Sequence, residues 1–96
     1  MARYASVPGV STEAVGHLWA AFSPASGETL LLNDESASIL EVLAAGARDT
    51  AEVCDALAAD SGLDAASLLP IVDGCWPRLI EAGLVRELHS GAAVAR

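Results

Sequence analysis

Positive charge is scarce in this chain. Five basic residues stand against thirteen acids, a formal net charge of −8 over 96 residues. Phosphate binding rests on basic clusters that displace counterions, and here Arg48, Arg78 and Arg86 are scattered among acids. Nucleic acid is therefore not the expected partner. Aromatic residues are equally thin, at 4%. Much of the 53% hydrophobic content is alanine, which suits close-packed helices better than a β-sandwich. No apolar run approaches the roughly 18–20 residues that span a bilayer. The first ten residues carry one arginine and proline and glycine breakers, with no apolar core of a secretory signal. The expectation is a soluble, cytoplasmic protein of one domain.

Chemistry-bearing residues are few. Cys54 and Cys75 form no CxxC pair and have no clustered histidine, so they read as buried, reduced thiols rather than a zinc or redox site. Only His17 and His89 are present, and no acid or nucleophile is patterned with either. The acids fall at helix starts (Asp34, Glu35, Asp49, Glu52, Asp64) or on exposed faces (Glu41, Asp55, Asp60, Glu81), where capping and solvation account for them. No glycine-rich phosphate loop occurs. The expectation is a protein that is not an enzyme, with no cofactor and no metal.

What the chain does have is a sharp change of period. Val15 to Phe22 alternates as a strand, with Leu18, Ala20 and Phe22 on one face and His17, Trp19 and Ala21 on the other. Ser23-Pro24-Ala25-Ser26-Gly27 is dense in turn formers, and Gly27-Glu28-Thr29-Leu30-Leu31-Leu32-Asn33 follows as a second strand. A hairpin over 17–33 is expected. Leu31 points away from Leu30 and Leu32, so this strand is apolar on both faces. Either another segment covers the second face, or an edge stays open for a further strand.

Three helices follow. Asn33 or Asp34 caps the first, which carries Ala37, Leu40 and Leu43/Ala44 with Ile39 and Val42 beside them, and Gly46 ends it. Asp49 and Glu52 have capping-box spacing for the second, which buries Val53, Cys54, Leu57 and Ala58 and stops at Ser61-Gly62. Asp64 is expected to cap the third, whose stripe is Leu68, Val72, Cys75 and Leu79, with Gly83 closing it. Pro70 and Pro77 each delete a backbone bond, so a bend is expected between them. Residues 1–14 read as an irregular lead-in or short strand, 15–88 as the domain, and 89–96 as a fraying tail.

This order resembles the PqqD family, in particular the branch associated with HPr-kinase-related systems. The likeness is carried by Trp19, Phe22-Ser23-Pro24-Ala25-Ser26-Gly27-Glu28-Thr29-Leu30-Leu31-Leu32-Asn33, Ala37, Ile39-Leu40, Leu43, Leu57, Leu79 and Gly83-Leu84-Val85, and it covers about residues 15–87. The resemblance implies an α+β, winged helix-turn-helix-like domain, a small antiparallel hairpin followed by a three-helix bundle. It also implies a peptide chaperone that binds the leader of a ribosomally synthesised precursor peptide and presents it to a modifying enzyme, of the radical SAM or HPr-kinase-related kind. In that family the leader adds to the third strand and lies against the third helix. Carried over, the binding strand is Thr29, Leu30, Leu31, Leu32 and Asn33, and the third helix offers a second stripe of Leu69, Trp76 and Ile80. Two other readings compete: a winged-helix transcription regulator, and a homodimer that uses the same strand edge.

Overall fold

The computed structural model describes residues 2–89. Four strands come first: β1 (Ala2–Ser6), β2 (Ser11–Val15), β3 (Leu18–Ser23) and β4 (Glu28–Leu32). Three helices follow, α1 (Asp34–Leu43), α2 (Thr50–Ser61) and α3 (Ala65–Glu81), and then a last strand, β5 (Val85–His89). The architecture is α+β, as the periods of the sequence require. The strands form two antiparallel sheets, β2-β3-β4 and β1-β5.

The expected hairpin is β3–β4. Trp19 pairs with Leu32 and Ser23 with Glu28, across a four-residue turn closed by Gly27 N–H donating to the Ser23 carbonyl at 2.7 Å. The strand expected from Val15 is interrupted, however. Gly16 has a φ of 62°, and with His17 it makes a two-residue turn between Val15 and Leu18. A positive φ at the first of two loop residues is what such hairpin turns ask of glycine. His17 is therefore an exposed turn residue, and the segment before it is β2, paired along its length with β3.

The lead-in over 1–14 is thus structural. β2 extends the hairpin sheet, and β1 pairs with β5 from Ala2 opposite His89 to Ser6 opposite Val85. Of the fraying tail expected over 89–96, His89 instead closes β5, and 90–96 lie outside the described residues. Neither β1 nor β5 has a clear apolar alternation; each is held by a partner at the other end of the described chain.

Helix ends follow local chemistry. Asn33 is the N-cap of α1, its side chain accepting from Ser36 N–H at 2.9 Å. Asp49 and Glu52 form the full capping box of α2, at 2.8 and 2.9 Å, and Gly62 at φ 79° closes that helix in the left-handed conformation. Asp64 holds the N-cap position of α3 but its carboxylate makes no capping bond, which corrects the sequence expectation. At the other end, Gly83 N–H donates to the Ile80 carbonyl and Leu84 N–H to the Leu79 carbonyl, a Schellman closure with both leucines buried.

α3 runs unbroken through Pro70 and Pro77. Each proline leaves the carbonyl four residues earlier, on Ala66 and Asp73, without its helical donor. All four residues are exposed, so water can take those acceptors and the helix continues. The opposite side carries the core: Leu68, Val72, Cys75, Trp76 and Leu79 pack with Ile39, Leu40 and Leu43 of α1, Val53 and Cys54 of α2, Ala21 of β3, and Leu84 and Val85. Full burial of side chains this size contributes about 1.5–3 kcal/mol each.

Candidate functional site

Alternation on the three-stranded sheet decides what is available on its surface. Ala21 and Ser23 are buried, and Leu30 and Leu32 are half-buried against the core. The other face presents Val15, Leu18, Phe22 and Leu31, all exposed, with Leu31 at 64%. Leu31 is therefore not core, and the leading residues do not cover it.

The edge of β4 is open as well. Among the described residues, β4 has β3 on one side and no strand on the other, while β1 goes to β5 and β2 to the far edge of β3. Among the described residues, no backbone bond beyond the β3 ladder uses the Thr29–Leu32 groups, apart from helix-capping contacts that begin at Asn33. The Glu28 N–H turns back to Ser26 Oγ at 3.3 Å. Half of the amides and carbonyls of a paired strand face its free side, so this is a row of unused donors and acceptors.

α3 flanks that edge. Its C-terminal end reaches the start of β4, where a Cβ on Gly83 would lie 2.7 Å from Ser23 Oγ, and Ser23 pairs with Glu28. Further back, Cys75 shares a hydrogen bond with Ser36, just past the end of β4. The helix thus runs antiparallel to the strand. Between them lies a cleft of about 230 Å³, lined by Leu30, Leu31, Leu32, Asn33, Ser36, Arg78, Leu79 and Ala82. Trp19 Nε1 donates to Asp34 Oδ1 at 3.1 Å and ties β3 to the start of α1 at one end of this cleft. A larger hollow, about 520 Å³, lies between the β1–β2 turn and the end of α1, lined mostly by small residues and with Glu41 as its only charged group.

The five strand residues expected at the site, Thr29, Leu30, Leu31, Leu32 and Asn33, are all at the open edge. The helix residues are not. Trp76 is a core side chain, 2% exposed, stacked on Tyr4 of β1 with ring centroids 3.9 Å apart and planes 6° from parallel. Its Nε1 donates to Thr50 Oγ1 at 3.0 Å. Leu69 is 47% exposed but lies beside Ala51, Cys54 and Asp55 of α2. Ile80 follows Trp76 by one turn, on the same flank. The stripe Leu69, Trp76 and Ile80 therefore faces β1 and α2, and the flank beside β4 is that of Cys75, Arg78 and Ala82. The core stripe has two flanks, and the sequence offered no reason to choose the less apolar one. The signal that would have chosen it is the aromatic itself: Trp76 is the largest side chain on α3, and with so few aromatics the core claims it.

The two cysteines are free and buried. Burial pushes both thiols up; for Cys75 the Ser36 hydrogen bond and the Arg78 charge act against it. Raised thiols are poor nucleophiles at neutral pH. Among the described residues, no three histidine, cysteine, aspartate or glutamate side chains come together as metal ligands, and no helix is long and apolar enough to cross a membrane.

The chain matches no family model, no curated protein and no solved structure. Its function has to be argued from the cleft.

Proposed function

We propose that this chain is a non-catalytic, cytoplasmic peptide chaperone of the PqqD kind. It takes the leader of a precursor peptide as an added strand on β4 and offers the rest of that peptide to a separate modifying enzyme. One observation carries the reading: among the described residues the outer edge of β4 is unpaired and runs alongside α3 across an apolar cleft. A guest strand would complete the backbone hydrogen bonds of β4 and turn alternate side chains towards Leu79 and Ala82. The hairpin followed by three helices also suits a winged helix-turn-helix layout. Regulation through DNA is the weaker alternative, because Arg3 is bound to Glu52 at 3.2 Å and Arg48 to the Ala47 carbonyl, which leaves no basic cluster for phosphates among the described residues.

The exposed row of Val15, Leu18, Phe22 and Leu31 favours a second reading, a homodimer joined through the outer face of the sheet. One titration separates the two. A synthetic leader, copied from a small open reading frame next to this chain's gene, is added to isotope-labelled protein. The chaperone reading expects amide shifts at Thr29, Leu30, Leu31, Leu32 and Asn33 and on α3 from Arg78 to Ala82, with Val15 and Phe22 little changed. Shifts confined to the outer face, or none at saturating peptide, would reject strand addition. Sedimentation over a range of protein concentrations reads the dimer directly.

A further inference from the structure

The charge lining the β4–α3 cleft runs opposite to that of the protein. The chain carries −8 overall, yet among the described residues the cleft lining contains no carboxylate and one full positive charge, Arg78. That guanidinium is also unspent. Arg3 is paired with Glu52 and donates to the Ala47 carbonyl, and Arg48 donates to the Ala47 carbonyl too. Among the described residues, the Arg78 guanidinium makes no hydrogen bond and no ion pair; it acts on its surroundings only as a charge beside Cys75. Of the two other polar side chains in the lining, Asn33 already spends its amide oxygen on the Ser36 N–H, and the Ser36 hydroxyl is engaged with Cys75.

From this we infer that the cleft selects its guest by a single carboxylate. This selection rests on the strand-addition reading above and deepens it. A guest strand on β4 points every second residue into the cleft. Leu79 and Ala82, with Leu30 and Leu32, take apolar side chains at those positions. Arg78 takes an aspartate or glutamate two residues from an apolar neighbour, as a charge-assisted and potentially bidentate pair. The guest is therefore a mainly apolar extended segment with one acid on its inward stripe. A run of acids is rejected, because the net charge of −8 repels it while only one arginine answers it.

Blocked heptapeptides test the assignment. The probe is acetyl-Val-Thr-Leu-Thr-Asp-Thr-Val-amide, together with the version in which leucine and aspartate change places, since the direction of the guest is open. Asparagine and lysine versions of both serve as comparisons. Each is titrated into isotope-labelled full-length protein, and affinity is read from the amide shifts at Thr29–Asn33. At least one aspartate peptide is expected to bind about fivefold more tightly than its asparagine version, the size of one partly exposed ion pair. Arg78→Gln should bring that ratio to about one, and Arg78→Glu should turn the preference to lysine. Arg78 is exposed, so both variants are expected to keep the wild-type amide spectrum elsewhere. If the peptides shift β4 but aspartate, asparagine and lysine bind alike, or if Arg78→Gln leaves the ratio intact, selection by Arg78 is wrong and strand addition stands. If no peptide shifts β4 at any concentration, strand addition and the selection built on it both fall.

Discussion

Ser23 and Gly83 meet where β3 ends and α3 closes, and the contact leaves no room for a side chain on the glycine. Ser23 is fully buried; its hydroxyl donates to the Gly83 carbonyl at 3.2 Å and accepts from Ser26 N–H at 3.4 Å. Gly83 has a φ of 78°, and a Cβ there would stand 2.7 Å from Ser23 Oγ and 3.2 Å from the Ala25 Cβ. Gly27 has a similar φ, 74°, but open space around it. The pair separates two costs. Gly27→Ala should lose only the left-handed penalty of about 1–2 kcal/mol. Gly83→Ala should lose that and a packing clash, about 2–4 kcal/mol in all. Urea unfolding of both variants measures the difference, and repeating Gly83→Ala in a Ser23→Ala background should shrink it. Equal losses for the two glycines would mean that the chain end moves freely here, and that the α3–β4 geometry is less fixed than the contact implies.

At the scale of elements, the two aspartate caps differ in what they do. Asp49 accepts from Glu52 N–H while Glu52 returns the bond to Asp49 N–H. Asp64 occupies the same position on α3 with an idle side chain. Asp49→Ala should therefore cost about 1–2 kcal/mol, and Asp64→Ala a few tenths. Thermal melts in parallel decide this, and equal losses would show that the Asp64 carboxylate caps α3 in solution after all. The same contrast explains what could be read from the sequence. β3, β4 and the three helices were legible because their boundaries are written in neighbouring residues: the turn from Pro24 to Gly27, the Asn33 and Asp49 caps, Gly62 and Gly83. β1 was legible only as one of two alternatives for residues 1–14 and β5 not at all, because Arg3-Tyr4-Ala5 becomes a strand only against Arg86-Glu87-Leu88. The candidate site divides along the same line. The β4 edge follows from local alternation, whereas the flank of α3 beside it depends on where β1 brings Tyr4, and Tyr4 draws Trp76 to the other side.

For the whole molecule, the protons held in the interior matter more than the acids on the surface. Burial is the first cause of raised values for Tyr4, Cys54 and Cys75, with Glu87 and Asp73 adding to it at Tyr4, and Asp55 and Asp73 at Cys54. Each group is neutral when protonated, so a raised folded value means that the native state holds its proton more tightly than the unfolded chain does. The resulting stability is complete below the ordinary values of 9.0 for the thiols and 10.0 for the phenol. It is lost as pH rises through the folded values, because only the unfolded chain has by then released its protons. The urea midpoint should accordingly stay level from about pH 7 to 8.5 and fall progressively above 9. Two effects could produce such a fall, and salt distinguishes them. Growing repulsion on a chain already at −8 is screened at about 1 M salt, where the Debye length is about 3 Å, whereas desolvation of a buried thiol is not. A decline that persists at high salt and weakens in Cys54→Ala and Cys75→Ala comes from the interior. A decline that salt abolishes would assign the alkaline lability to the surface instead, and would remove the core thiols from the account.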